Sequence, residues 1–114
     1  MNNKDNNTIR LVEVGPRDGL QNEKTVLSTE DKLTFINMLI DAGLSTIEAT
    51  SFVRADKVPQ MADAHQLYRK LKHQNISYPC LVPNLKGLEL ALKANVKEIA
   101  VFTALSETFN KKNI

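Results

Sequence analysis

Residues 9–23 read IRLVEVGPRDGLQNE. The first part is an apolar run rich in β-branched side chains, which Gly15 and Pro16 stop at once, the pattern of a short strand ending in a sharp turn. Directly after it Arg17 and Asp18 stand side by side, hemmed by two glycines and a proline. A plain turn whose charges face water accounts for them, and so does a loop that presents them to a ligand. The rest of the chain decides what surrounds that loop.

Outward from this stretch, strand and helix patterns alternate. Residues 28–43, STEDKLTFINMLIDAG, carry Leu33, Ile36, Leu39 and Ile40 at helical spacing, with Ser28 to cap the start and Gly43 to close the end. A second strand pattern covers residues 46–50, and a second helix begins at Pro59 and runs through PQMADAHQLYRKLKH. A third strand at 78–82, a helix at 85–94 with Leu88, Ala91 and Leu92 on one face, and a fourth strand, EIAVFTA, follow. The closing SETFNKKNI begins like another helix. Strict alternation of this kind implies parallel strands joined by right-handed crossovers. The fold expected is α/β, a partial (β/α)8 TIM barrel comprising about the first four βα units. A whole barrel takes about 250 residues, against 114 here. Residues 1–8 are expected to be a disordered leader and 9–114 the N-terminal half of a barrel domain. A doubly wound sheet is the alternative, but the first strand lacks the G-x-G-x-x-G fingerprint of dinucleotide binding.

Composition narrows the class. With 42% hydrophobic and 25% charged residues the chain can bury a core, which argues against disorder or a fibrous protein. A net charge of +2 is too small and scattered for nucleic-acid binding, and no apolar run is long enough to span a membrane. The single cysteine, Cys80, excludes an internal disulfide framework. It lies in the apolar run SYPCLVP and is expected to be a buried thiol in a cytoplasmic protein.

Barrel chemistry is carried at the C-terminal ends of strands and in the loops that follow. There the sequence places Arg17, Asp18, Gln21 and Asn22 after the first strand, and Glu48, Thr50 and Ser51 near the end of the second. Asn84 follows the third strand, and Thr103, Ser106 and Glu107 the fourth, whereas the loops at the other end, DAGLS and ANVK, are short and bland. Asp18 offers hard oxygens suited to Mg²⁺ or Mn²⁺. Arg17 offers a rigid fork for a carboxylate or a developing enolate oxygen. They can equally pair with neighbours and brace the loop. Glu48, inside a strand pattern, is costly to bury without a partner. Arg17 is its natural partner, and orienting that arginine or touching substrate are both open to it. Glu13 reads as structural. His65 and His73, on the second helix, are not spaced as a metal pair, and Lys111 and Lys112 read as solvated.

The runs VEVGPRDGLQNE, DAGLSTIEATSFV, VPQMAD, PNLKGLELAL and FTALSETFNKKNI together resemble the N-terminal part of the 3-hydroxy-3-methylglutaryl-CoA lyases, within the pyruvate carboxyltransferase-like group of metal-dependent TIM barrels. Leu20 before Gln21, VPQM and KKNI favour the lyase branch over the related synthases. The resemblance implies cleavage of 3-hydroxy-3-methylglutaryl-CoA to acetoacetate and acetyl-CoA, a retro-Claisen step serving leucine breakdown and ketone-body formation. It implies Asp18 as a ligand of a divalent metal, Mg²⁺ or Mn²⁺, that polarises the substrate oxygens. It implies Arg17 as the stabiliser of the enolate, Glu48 as an active-site glutamate, and Gln21 as support for the loop and substrate. The family's His-x-His pair, metal-binding asparagine and Gly-rich-loop cysteine belong to its later half and are not among these residues. The chain alone is therefore expected to bind metal weakly or not at all and to be inactive. Two other expectations stand beside this one: a non-catalytic half-barrel that pairs with its own copy or a second half, since open parallel edges invite association, and a Claisen-type condensing enzyme of the same superfamily.

Overall fold

The second expected strand pairs on both sides, and its backbone groups record how. The Glu13 N–H donates to Thr46 O (3.0 Å) and the Glu48 N–H to Glu13 O (2.8 Å), while the N–H groups of Ile47 and Ala49 turn the other way, to Ser77 O (2.9 Å) and Pro79 O (3.1 Å). Backbone groups of an extended chain alternate sides, so Glu13 and the Ser77–Pro79 segment flank this strand. The computed structural model describes residues 8–72, 74–103, 105 and 106. In it β1 (Thr50–Ser51) pairs with β2 (Cys80–Leu81) and β2 with β3 (Ile99–Ala100), all parallel. Extended by the Glu13 bridge to Ile47, the sheet runs in chain order, as consecutive βα units of a barrel require.

The regular elements are shorter than their sequence patterns. The first strand contracts to the single bridge at Glu13. Its ladder stops there because the Val14 carbonyl is claimed by the following turn, accepting N–H groups from Arg17, Asp18 and Gly19. Upstream, Ile9 and Leu11 are 82% and 72% exposed, with no packing to hold them extended. The fourth strand likewise pairs only at Ile99–Ala100. Residues 1–7 of the expected leader, His73, Ala104, and 107–114 with Glu107, Lys111 and Lys112 lie outside the described residues.

Helix α1 (Thr29–Asp41) starts as expected, with the Asp31 N–H donating to Ser28 Oγ at 3.1 Å and two acids, Glu30 and Asp31, in the first turn. The second helix departs from its pattern. Residues 59–61 form a separate 3₁₀ turn, and only Ala64–Arg69 are α-helical (α2). The physical reason is Asp63, which stands at the cap position of α2 yet makes no capping bond. Its carboxylate is taken by Thr29 and Lys32 of α1. Helix α3 (Leu85–Lys93) is capped by Asn84, whose Oδ1 accepts the Gly87 N–H at 2.9 Å. None of these helices is long and apolar enough to cross a membrane.

The core lies between sheet and helices. Ile47, Ala49 and Cys80 from the strands meet Ile36, Leu67, Tyr68 and Ala91 from the helices. Cys80 is fully buried, as read from its neighbours, and burial pushes its thiol up to about 12, so it stays protonated and inert at neutral pH. At the end of the sheet opposite the Arg17 loop, Arg10 grips Glu98 with both nitrogens, at 2.8 and 2.9 Å. Those hydrogen bonds hold the Glu98 carboxyl below its ordinary range.

One contact fixes how closely α3 sits on the loop after β1: a Cβ at Gly87 would come within 2.5 Å of Phe52 O. Gly19, by contrast, has open space around it. Gly87→Ala is expected to lower stability by about 1–3 kcal/mol, as forced overpacking does, read as a fall in the urea midpoint. Gly19→Ala, measured alongside, should change it little; equal effects would contradict this packing.

Candidate functional site

The GPRDG segment is not an ordinary turn. Gly15–Gly19 form a π-helical turn, with the N–H groups of Arg17 (3.1 Å), Asp18 (2.7 Å) and Gly19 (3.2 Å) converging on Val14 O. Such turns are rare and often accompany functional sites. Pro16 fits at its start because the missing N–H has no intrahelical partner there. Glu13 secures the near end by accepting the Gly15 N–H at 2.8 Å, a structural role as expected. Gly15 sits in a crowded place, since a Cβ would lie 3.0 Å from the Phe35 ring and could be admitted only if that side chain gave way.

Arg17 is the hub of the loop. Its Nε donates to Glu48 Oε1 at 2.5 Å, and its Nη1 reaches Asp18 Oδ1 at 3.4 Å and Gln21 Oε1 at 3.5 Å. The latter two are long and weak. Glu48 is only 7% exposed, so this carboxylate is held in the sheet by its ion pair with Arg17. Asp18 points outward, its side chain 56% exposed. Asn22 closes the loop by donating Nδ2–H to Asp18 O at 2.8 Å. The sequence-predicted quartet Arg17, Asp18, Gln21 and Glu48 is thus brought together.

Of the remaining mouth candidates, Thr50, Ser51 and Asn84 serve the framework. Thr50 and Ser51 are fully buried, bonded to Met61 Sδ (3.6 Å) and Leu81 O (3.3 Å). Asn84 is a helix cap. Thr103 and Ser106 are exposed. His65 is exposed on α2, as expected. A pocket of about 500 Å³ between Phe52, Met61, His65 and Leu90 contains none of the quartet.

Two features were not read from the sequence. Thr46 pairs with Ser77 but Thr50 with Cys80, so the strand carries one residue more than its neighbour over this interval. That bulge lies between Glu48 and the mouth, a place where bulges re-aim side chains. The second is a buried network. Lys32, 2% exposed, donates to Asp63 Oδ1 (2.6 Å) and to the Gln60 carbonyl, and the Gln60 side chain donates to Glu23 O at 2.6 Å. A lysine in the first turn of a helix, set against the dipole, was the available signal.

As a metal site the arrangement supplies one exposed hard ligand, Asp18. Among the described residues no three His, Cys, Asp or Glu side chains are grouped to hold an ion. The donor chemistry fits a divalent cation that takes its other ligands elsewhere.

A chain-ordered parallel sheet with helices between its strands, bearing an anchored arginine and an outward aspartate beyond the end of its first strand, defines a segment of a (β/α) barrel with a one-sided mouth. The chain belongs to the HMGL-like family, whose model matches residues 8–114. It is 55% identical over 107 residues to the mitochondrial hydroxymethylglutaryl-CoA lyase of Macaca fascicularis, covering 93% of this chain and 33% of that protein. To the cytoplasmic 3-hydroxy-3-methylglutaryl-CoA lyase of Rattus norvegicus it is 54% identical, covering 93% of this chain and 31% of that one. The crystal structure of hydroxymethylglutaryl-CoA lyase from Pseudomonas aeruginosa matches with a TM-score of 0.84 at 50% identity, over 93% of this chain and 36% of that one. An HMG-CoA lyase from Acinetobacter baumannii, in complex with coenzyme A and 3-methylmalate, matches with a TM-score of 0.83 at 41% identity, over 90% and 34%. The chain spans about a third of the length of these relatives.

The Arg17–Glu48 pair makes a direct prediction. Arg17→Met leaves a buried carboxylate unpartnered and is expected to cost about 3–5 kcal/mol, measured by urea unfolding. Arg17→Met/Glu48→Leu, which buries no charge, should recover most of that loss. A single variant as stable as the parent would mean that Glu48 does not depend on Arg17.

Proposed function

We propose that this chain carries the first part of a hydroxymethylglutaryl-CoA lyase site, in which 3-hydroxy-3-methylglutaryl-CoA is cleaved to acetoacetate and acetyl-CoA. The observation that carries the reading is a π-helical turn that sets the half-buried Arg17, fixed from behind by Glu48, beside the outward Asp18. In such a cleavage the hydroxyl at C3 loses its proton, the carbon–carbon bond breaks, and its electron pair moves onto the acetyl thioester as an enolate. Arg17 is suited to donate N–H bonds to that enolate oxygen. Its Nε is already committed to Glu48, so the remaining guanidinium nitrogens meet the substrate in a fixed plane. Of the two roles open to Glu48, its burial behind Arg17 supports the orienting one. Gln21, half-buried beside Nη1, limits the swing of the same group and borders the substrate. A divalent Mg²⁺ or Mn²⁺, with Asp18 as one ligand, supplies Lewis-acid polarisation of substrate oxygens when bound.

The activity belongs, on this reading, to a whole barrel, with leucine breakdown and ketone-body formation as its setting. The names of the relatives divide between mitochondrial and cytoplasmic. A reduced, buried thiol favours a reducing compartment, and we place the protein in the cytoplasm. In an acetoacetate assay with Mg²⁺ or Mn²⁺, this chain alone is expected to give no turnover. Supplied with the remaining two thirds of a relative's barrel, it should release acetoacetate, and Arg17→Gln should reduce that rate by about 10²–10³-fold, the size of losing an enolate-stabilising donor. Turnover by the chain alone would overturn the expectation that it needs the rest of a barrel, and a rate indifferent to Arg17→Gln would overturn the role given to Arg17.

A second reading, association through open sheet edges, is favoured by exposed apolar side chains there: Ile9 at 82% and Leu11 at 72% exposure near one edge, Ile99 at 41% and Val101 at 72% on the other. Size-exclusion chromatography with light scattering is expected to show a dimer or larger species, pairing copies or awaiting a second half. A folded monomer at micromolar concentration would exclude self-pairing.

A further inference from the structure

Lys32 pays two penalties where it stands. It is a buried cation, and it occupies the first turn of α1, where the helix dipole disfavours positive charge. What it secures is the short turn Pro59–Met61, through the Gln60 carbonyl, with Asp63 as its counter-charge and Thr29 holding the second Asp63 oxygen at 2.5 Å. From that fixed turn the Gln60 side chain reaches across to Glu23 O at 2.6 Å. Met61, in the same turn, accepts from Thr50 in the bulged strand. The turn is therefore tied to α1, to β1 and to the far end of the Arg17 loop.

The loop is pinned at its near end by Glu13 on the Gly15 N–H. At its far end the Glu23 N–H closes onto Leu20 O, and the Glu23 carbonyl is the group Gln60 holds. Between these pins lie Arg17, Asp18 and Gln21. We infer that Gln60 is a positioning residue for this loop: anchored through its own carbonyl by Lys32, it clasps Glu23 O and so sets where Arg17, Asp18 and Gln21 stand. The inference deepens the proposed lyase site and rests on that reading for its functional meaning, but its physical content does not involve substrate.

Gln60 is only half-buried and its side chain lies outside the apolar core, so its replacement separates loop order from fold. The test is nuclear magnetic resonance with amide exchange on the full 114-residue chain, comparing Gln60→Met with the parent. Expected are a thermal midpoint within a few degrees of the parent, exchange of the Leu20 and Glu23 amides faster by about tenfold or more, and a displaced or broadened Arg17 Nε–H resonance. Lys32→Met, which frees the Gln60 carbonyl, should loosen the same amides. Unchanged exchange and an unchanged Arg17 resonance in folded Gln60→Met would overturn the inference. Global unfolding of Gln60→Met would overturn it too, by making Gln60 a residue of the whole fold. Because these signals are read without substrate, a failed cleavage assay leaves the clasp standing, and a failed clasp leaves the lyase assignment standing.

Discussion

A carboxylate cannot sit inside a parallel sheet without a cation, and much of this structure follows from how Glu48 obtains one. The cation comes from outside the sheet, on the turn beyond the neighbouring strand segment. That turn must close tightly enough to bring Arg17 back over the sheet, and the π-helical geometry does so by gathering three N–H groups on one carbonyl. Closing it ends the first strand at Glu13, crowds position 15 against Phe35, and turns Asp18 outward. A single buried charge thus dictates the length of a strand, the shape of a loop and the direction of the acid beside it.

How much of this could be read in advance differs by the range of the interaction involved. The βα alternation, the parallel order, the Ser28 cap and the burial of Cys80 were legible because each depends on periodicity or on neighbours in sequence. So was the partnership of Glu48 with Arg17, since an acid inside a strand pattern demands a cation and the adjacent loop contains one. The lengths of the strands were not legible: apolar patterning says which residues can pair, while pairing itself needs a neighbouring strand, and Ile9 and Leu11 lie largely exposed outside the ladder. The break before α2 also escaped, because it arises when Asp63 is recruited by Lys32 and Thr29, more than thirty residues away. Asn84 was placed correctly at a strand's end but serves as a helix cap there, a role that local sequence allows equally well.

The resemblance carried by GPRDGLQNE, VPQM and KKNI agrees with the family match, and the two are consistent about extent: the matched relatives are about three times as long. The third of the fold present here brings together an anchored donor and an outward acid. In a barrel whose strands each contribute to one mouth, that is the share expected from the first loops.

The two arginine–glutamate pairs, at opposite ends of the sheet, differ in their dependence on the surrounding solution. Arg17 and Glu48 are largely shielded, with side-chain exposures of 17% and 9%, whereas Arg10 and Glu98 are open, at 54% and 39%. Arg10 and Glu98 are also separated by 88 residues and join the two outermost segments of the sheet, so their contact closes a long loop. Dissolved salt screens such an exposed pair far more than a buried one. Ionic strength therefore weakens the contact between the sheet's outer segments while leaving the grip on the Arg17 loop nearly untouched.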